Sequence, residues 1–156
     1  DFVSAGLSAL LGGGGKVTRI IPRFLLNREA AESELQRLTD LIVTDNMHQR
    51  KHALYEHSDA FVAMPGGIGT LEEIIEIMTW AQLGHHSKPI VLANINRFWE
   101  PLNGLLSHMR EAGVIHTANL VRPIVVNSAE SIVPAILAAS IKSPVGDGDP
   151  VVIGKL

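Results

Sequence analysis

Two carboxylates standing directly after a glycine-rich turn are the residues here best placed to do chemistry. Met64-Pro65-Gly66-Gly67-Ile68-Gly69-Thr70-Leu71-Glu72-Glu73 follows a compact apolar run, Ala60-Phe61-Val62-Ala63-Met64. It leads into Leu71-Glu72-Glu73-Ile74-Ile75-Glu76-Ile77-Met78-Thr79-Trp80. The apolar run reads as a buried strand and the last stretch as a helix. A strand, a glycine turn and a helix together make a seat for phosphate. Glycine lets the backbone approach an anion closely, and the helix start offers unpaired N–H groups at the positive end of its dipole. Glu72 and Glu73, read as first-turn residues, would repel a phosphate pressed against them. An acid beside an anion seat suits a sugar that becomes cationic as it reacts. Acids in a first turn also simply complement the dipole, but the turn has no structural need of three glycines.

A second candidate group is Arg50-Lys51, one turn into a helix that starts near Asp45 or Asn46, either of which could be its N-cap. Arg offers bidentate donation to a phosphate and Lys a mobile point charge; the alternative reading is a solvated basic patch. His48 and His52 have the spacing of helical zinc ligands, and His57, His85 and His86 add candidates. Without cysteine, and without Glu inside the His-x-x-x-His run, the metalloprotease motif fails and no metal site is expected. His85-His86 after Gly84 reads as a helix C-terminal loop, where the dipole favours imidazole. There is no Gly-x-Ser-x-Gly elbow, P-loop lysine or Gly-x-Gly-x-x-Gly. Trp80 and Trp99 read as packing or interface residues rather than a stacking platform.

The elements that must position these groups alternate along the chain. Strands are expected at 16–21, 40–44, 60–64, 89–93 and 123–126, and helices at 29–37, 47–57, 70–83, 99–112 and 128–139. The strands are short, Val/Ile-rich and apolar on both faces, as parallel strands covered by helices should be. The fold class is therefore α/β, a Rossmann-like doubly wound parallel sheet, with one domain over residues 1–142 and a Gly/Pro/Asp-rich tail at 143–156. Ligands in such a sheet sit outside the carboxyl ends of the strands, where both the glycine turn and the Arg50-Lys51 segment should lie. Residues 3–11 read as a helix closed by Gly12-Gly13-Gly14-Gly15. A doubly wound domain normally opens with a strand and its phosphate turn, so an N-terminal strand and glycine-rich loop are expected to be missing before this point.

Composition narrows the function further. The chain has 156 residues, of which 46% are hydrophobic, enough for a sizeable core. A net charge of -3 with scattered Lys and Arg gives no footprint for nucleic acid. Zero cysteines exclude a disulfide framework and fit a cytoplasmic setting. No apolar run approaches the ~20 residues needed to span a bilayer, and residues 1–11 lack the signature of a secretory peptide.

Asn46-Met47-His48-Gln49-Arg50-Lys51, followed by Pro65-Gly66-Gly67-Ile68-Gly69-Thr70-Leu71-Glu72-Glu73, resembles the Lonely Guy family. These are cytokinin riboside 5′-monophosphate phosphoribohydrolases, long mislabelled as lysine decarboxylases. The family's Pro-Gly-Gly-x-Gly-Thr-x-x-Glu signature matches in full; its Asp-Met-x-x-Arg-Lys run has Asn46 where Asp is usual. The likeness extends through Ser58-Asp59-Ala60-Phe61, Thr79-Trp80-Ala81-Gln82-Leu83-Gly84 and Lys88-Pro89. It implies that Arg50 and Glu73 are the catalytic pair. It implies that Met47, Lys51, Gly66, Gly67, Gly69 and Thr70 hold the nucleotide, with Thr79 lining the site. The family's further binding glutamate finds its nearest match in Glu29.

On that resemblance the expected reaction is hydrolysis of the N-glycosidic bond of a purine nucleoside 5′-monophosphate, cytokinin-type or AMP, to free base and ribose 5-phosphate. A carboxylate near the anomeric carbon would stabilise the oxocarbenium-like transition state and orient water. That is the expected role of Glu73, with Arg50 anchoring the nucleotide and no metal or cofactor required. Two rivals stand beside it. One is a nucleotide- or cofactor-binding module without hydrolase activity. The other is a decarboxylase, whose chemistry usually needs a Schiff-base lysine on a pyridoxal-type cofactor, for which the chain makes no particular case. The expected partner is the nucleotide, with neither nucleic acid nor membrane. A homodimer or larger assembly is expected, because helix 70–83 carries more apolar surface than one sheet face needs.

Overall fold

Each of the five apolar runs forms a strand, and every strand pairing among the described residues is parallel. The computed structural model describes residues 12–26, 40–115 and 122–142. The expected helices at 3–11 and 29–37, the candidate Glu29 and the tail at 143–156 lie outside the described residues. β1 (Thr18–Pro22) pairs with β2 (Asp40–Thr44), from Thr18 opposite Asp40 to Pro22 opposite Thr44. α1 (Met47–Glu56) follows and packs against both strands. These elements belong to a first unit that ends at Ser58.

The second unit runs from Asp59. Its sheet has the order β3 (Phe61–Ala63), β4 (Ile90–Ala93), β5 (Ile124–Val126), with Phe61 opposite Ile90 and Val91 opposite Ile124. Between and after these strands come α2 (Ile68–Gln82), α3 (Glu100–Glu111) and α4 (Ile132–Lys142), the last packed on β4 and β5. Strand–helix alternation with parallel pairing is the α/β, Rossmann-like arrangement expected from the sequence.

Burial follows position in the sheet. β4 has a strand on each side, and its Val91, Leu92 and Ala93 are 0% exposed. The expectation that all strands are closed on both faces fails elsewhere. Leu41, Val43, Val62 and Val125 on β2, β3 and β5 remain 36–40% exposed, because these strands border their sheets among the described residues. The core of the second unit is completed by Ile74, Ile77 and Met78 from α2 and by Trp99 and Leu102.

Helix ends obey local chemistry. α2 closes with the Gly84 N–H on the Ala81 carbonyl (3.0 Å) and the His85 N–H on that of Trp80 (2.9 Å), with Gly84 at φ 81°. α3 repeats this, with Gly113 at φ 74° bonding Arg110 and Val114 bonding Met109. Both are glycine-terminated Schellman ends. Two helix starts differ from expectation. Residues 129–131 form a 3-10 turn, so α4 starts at Ile132 and places Pro134 in its first turn, where a missing N–H is harmless. α2 starts at Ile68, because the Gly67 carbonyl already accepts the Leu71 N–H at 3.1 Å. Glu72 and Glu73 therefore stand in the second turn, and no acid lies in the first. The reading of these acids as first-turn residues is corrected.

Candidate active site

The start of α1 is closed by its own side chains. Asn46, extended at φ -150°, ψ 173°, is the N-cap, and its Oδ1 accepts the Gln49 N–H at 2.9 Å. Gln49 Oε1 in turn accepts the Asp45 N–H at 2.8 Å, a reciprocal arrangement related to the capping box. Asn is as good a cap as Asp, so the departure from the family's usual Asp at this position preserves the helix start. Asp45 instead faces Arg23 at 3.9 Å, with both side chains largely exposed. Met47, Arg50 and Lys51 fall at i, i+3 and i+4, so they share one face, and all three are half-buried. Arg50 Nη1 reaches Met47 Sδ at 4.0 Å. The first unit thus presents a thioether and two cations just after the carboxyl end of β2. His52, one of the histidines with zinc-like spacing, faces Glu56 at 3.4 Å. Among the described residues no group of three or more His, Cys, Asp or Glu is placed to hold a metal ion.

The start of α2 is built differently. A Cβ on Gly66 would collide with Thr70 Oγ1 and lie 2.9 Å from Thr70 Cβ. Gly66 therefore has a structural reason, contrary to the expectation that none of the three glycines does: the Thr70 side chain folds over it. Gly67 and Gly69 have none of this kind, since a Cβ on either would meet nothing within 4 Å and neither has positive φ. Gly67 is the N-cap and offers no side chain to the first-turn N–H groups. What remains is bare backbone just after the carboxyl end of β3. Glu73 is half-buried and Glu72 exposed, as expected of neighbours about 100° apart around a helix. Thr79 is exposed, with Oγ1 donating to the Ile75 carbonyl at 2.8 Å. Nine residues separate it from Thr70, about 13 Å along the helix, so α2 places it well away from the glycine turn. Arg50 belongs to the first unit and Glu73 to the second.

A network unforeseen from the sequence laces the strand ends beside this turn. Asn94, 4% exposed, follows β4; its N–H donates to the Val126 carbonyl (2.7 Å) and its Nδ2 to Asn127 Oδ1 (3.0 Å). Its Oδ1 accepts the Trp99 N–H at 2.8 Å. The Trp99 indole N–H donates to the Ala63 carbonyl at 3.1 Å. Trp99 is a packing residue, as expected, but one with a polar attachment to the end of β3. The available signal was an Asn directly after each of the apolar runs of β4 and β5.

His85 and His86 lie in the loop after α2, as expected, but His86 has a more specific role there than the dipole suggests. Its Nε2–H donates to the Ile77 carbonyl (3.0 Å) and its Nδ1 accepts the Lys88 N–H (3.1 Å), which fixes a neutral ring. Burial lowers its pKa, the Ile77 bond opposes this, and the charges of Lys88 and His85 push it down further. It ties α2 to the segment before β4 rather than answering the helix dipole. A cleft of about 220 Å³ adjoins it, lined by Lys88, Ile90, Arg122 and Ile124. Ile90 and Ile124 open their strands, so this cleft lies at the sheet edge opposite the glycine turn.

In each unit the segment that follows a parallel strand lies where ligands bind in α/β proteins: an uncapped glycine turn in one, an Arg-Lys face in the other. The family model described as "possible lysine decarboxylase" matches residues 4–136. The chain belongs to this family, the Lonely Guy family of the motif resemblance. A cytokinin riboside 5′-monophosphate phosphoribohydrolase of Rhodococcoides fascians is 43% identical over 130 residues, 83% of this chain and 64% of that protein. The LOG1 enzyme of the same name from Arabidopsis thaliana is 41% identical over 107 residues, covering 69% and 49%. Arabidopsis LOG4 is 40% identical over 119 residues, covering 73% and 54%. The chain thus spans about half to two-thirds of these relatives' length. Among the described residues no helix is long and apolar enough to cross a membrane.

Proposed function

We propose that the protein is a phosphoribohydrolase of nucleoside 5′-monophosphates, cutting the N-glycosidic bond of a purine nucleotide, cytokinin-type or AMP. The observation that carries this reading is the bare start of α2, where Gly67 and Gly69 leave open space above uncapped backbone one turn before the half-buried Glu73. The names of the relatives support the same chemistry.

In this reading the 5′-phosphate rests on the 66–70 turn, with Lys51 supplying a further cation. Phosphate binding positions the ribose, so that remote contacts contribute to the rate at the anomeric carbon. The C1′–N bond breaks as water forms the new C1′–O bond, and the proton from water ends on the departing base. Positive charge develops on the ribose ring during this step. Glu73 stabilises that charge and orients the water, while Arg50, held beside Met47, anchors the nucleotide. Glu29 and Thr79 complete the set implied by the family. The reading includes a cytoplasmic setting and a homo-oligomer, for which the exposed Ile75 and Leu83 on α2 and its end are the candidate contacts.

The test is incubation with a panel of nucleoside 5′-monophosphates beside the matching nucleosides, assayed for free base and ribose 5-phosphate. Turnover of the phosphorylated compounds is expected. The nucleosides should be poorer by more than about a hundredfold, because several charge-assisted contacts of ~1.5–3 kcal/mol each vanish together. Equal turnover of adenosine and AMP overturns the phosphate assignment.

A further inference from the structure

We propose that Trp99 is a positioning residue for the glycine turn, acting through the Ala63 carbonyl; the proposal rests on the reading of that turn as a phosphate seat. A buried indole N–H needs an acceptor, and the informative point is which one it takes. Trp99 is 5% exposed and its Nε1–H donates to Ala63, the last residue of β3, at 3.1 Å. Only Met64 separates Ala63 from Pro65-Gly66-Gly67. β3 is three residues long and its ladder to β4 ends at Ala63 opposite Leu92. The indole therefore grips the chain where the ladder stops and the turn begins.

The grip is itself held. Asn94 Oδ1 fixes the Trp99 backbone, and the Asn94 N–H and Nδ2 bind the end of β5 at Val126 and Asn127. Through one loop the carboxyl ends of β3, β4 and β5 are joined side by side. The loop bears the cost in backbone conformation. Asn96 (φ 53°) and Arg97 (φ 63°) are consecutive left-handed residues, and they are the positive-φ residues other than glycine among those described. Two such residues in a row persist only where surrounding contacts over-determine them. Here those contacts include the Asn94 and Trp99 bonds and the Arg97 Nε to Glu100 Oε1 pair at 2.6 Å. The ring of Phe98, itself exposed, meets Trp99 edge-on with 4.9 Å between ring centroids and touches neither the indole N–H bond nor the turn. Strain and polar lacing are thus spent beside the turn, at the sheet edge where ligands bind.

Trp99→Phe removes the indole N–H and keeps an aromatic ring. In ¹⁵N-glycine spectra without ligand, the amide resonances of Gly66, Gly67 and Gly69 should move, while those of Gly14 and Gly113 stay. Inorganic phosphate titrated onto the wild type should shift the same three resonances. The variant should bind it about tenfold more weakly, the scale of one hydrogen bond's worth of positioning. In AMP turnover the loss should appear as a rise in KM of similar size with kcat little changed, whereas a merely structural defect lowers the active fraction and leaves KM alone. Phe98→Leu is the packing control and should lower Tm without moving the three glycines. Should Trp99→Phe fail to fold, the exposed Asn127→Ala loosens Asn94 and is expected to move the same resonances by less. Unmoved glycines with an unchanged KM overturn the proposal. Moved glycines in a protein that leaves every nucleotide intact keep the positioning role and refute the hydrolase reading instead.

Discussion

Two helices in this chain each follow a parallel strand at its carboxyl end, and their first turns are opposites. α1 is sealed: Asn46 caps the Gln49 N–H and Gln49 reaches back to Asp45. α2 is open: Gly67 gives it no cap, and added side-chain atoms at Gly67 or Gly69 would stand in empty space. Where the chain's own oxygen occupies the N–H groups, a ligand oxygen is excluded. Where glycine stands instead, the same N–H groups are left for an anion. On the proposed reading the two motifs do different work. The first supplies side chains, Arg50 and Lys51, from a rigid capped helix; the second supplies backbone, with Glu73 one turn along.

The largest effect expected from this division concerns Glu73. Glu73→Gln keeps shape and removes the charge needed in the transition state, so kcat should fall by about 10²–10⁴ while nucleotide affinity is largely kept. Glu72→Gln, on the exposed side of the same turn, is the matched control and should do far less. Steady-state kinetics with AMP, read beside equilibrium binding, decides between them. A dead Glu72→Gln with an active Glu73→Gln reverses the assignment.

Breaking the sealed helix tests the other side. Asn46→Ala should cost about 1 kcal/mol of stability, read from denaturant unfolding, with little change in the affinity for inorganic phosphate. A phosphate affinity that falls as far as it does in glycine-turn variants would mean that the first turn of α1, and not only its Lys51 side chain, seats the anion.

Much of this was legible in advance, and the exceptions have physical reasons. All five strands lie within two residues of their expected bounds because each is a short β-branched run bounded by polar or turn residues. The start of α2 was misplaced because Ile68-Gly69 looks like turn by propensity, while in the structure it is already helix through the Gly67 carbonyl. That shift carried Glu72 and Glu73 out of the first turn. The Asn94–Trp99–Asn127 network was not legible at all. Its bonds join residues five and 33 positions apart, and hydrophobic periodicity holds no information about which carbonyl a buried indole will take. The bond of His86 was illegible for the same reason, since its acceptor is Ile77, nine positions back.

His86 gives the smallest expected effect. Its pKa is lowered in the folded protein, chiefly by burial, so the unfolded chain binds its proton more readily. Its contribution is fully present above the unfolded value of about 6.5 and is lost as pH falls through the folded value. His86→Gln should therefore flatten the fall of Tm with acidification below about pH 6.5. An unchanged slope removes the half-buried neutral ring from the account of α2 packing.

The most direct test gives α2 the kind of side chain that seals α1. Gly67→Asn places a cap where none exists, at a position whose φ of -88° and free surroundings accept a side chain. Binding of AMP to this variant, measured by calorimetry beside its Tm, should be about tenfold weaker or worse while Tm holds or rises slightly, since Asn outdoes Gly as a cap by roughly a few tenths of a kcal/mol of stability. Undiminished AMP affinity in a folded, capped variant would contradict the placement of phosphate on the start of α2.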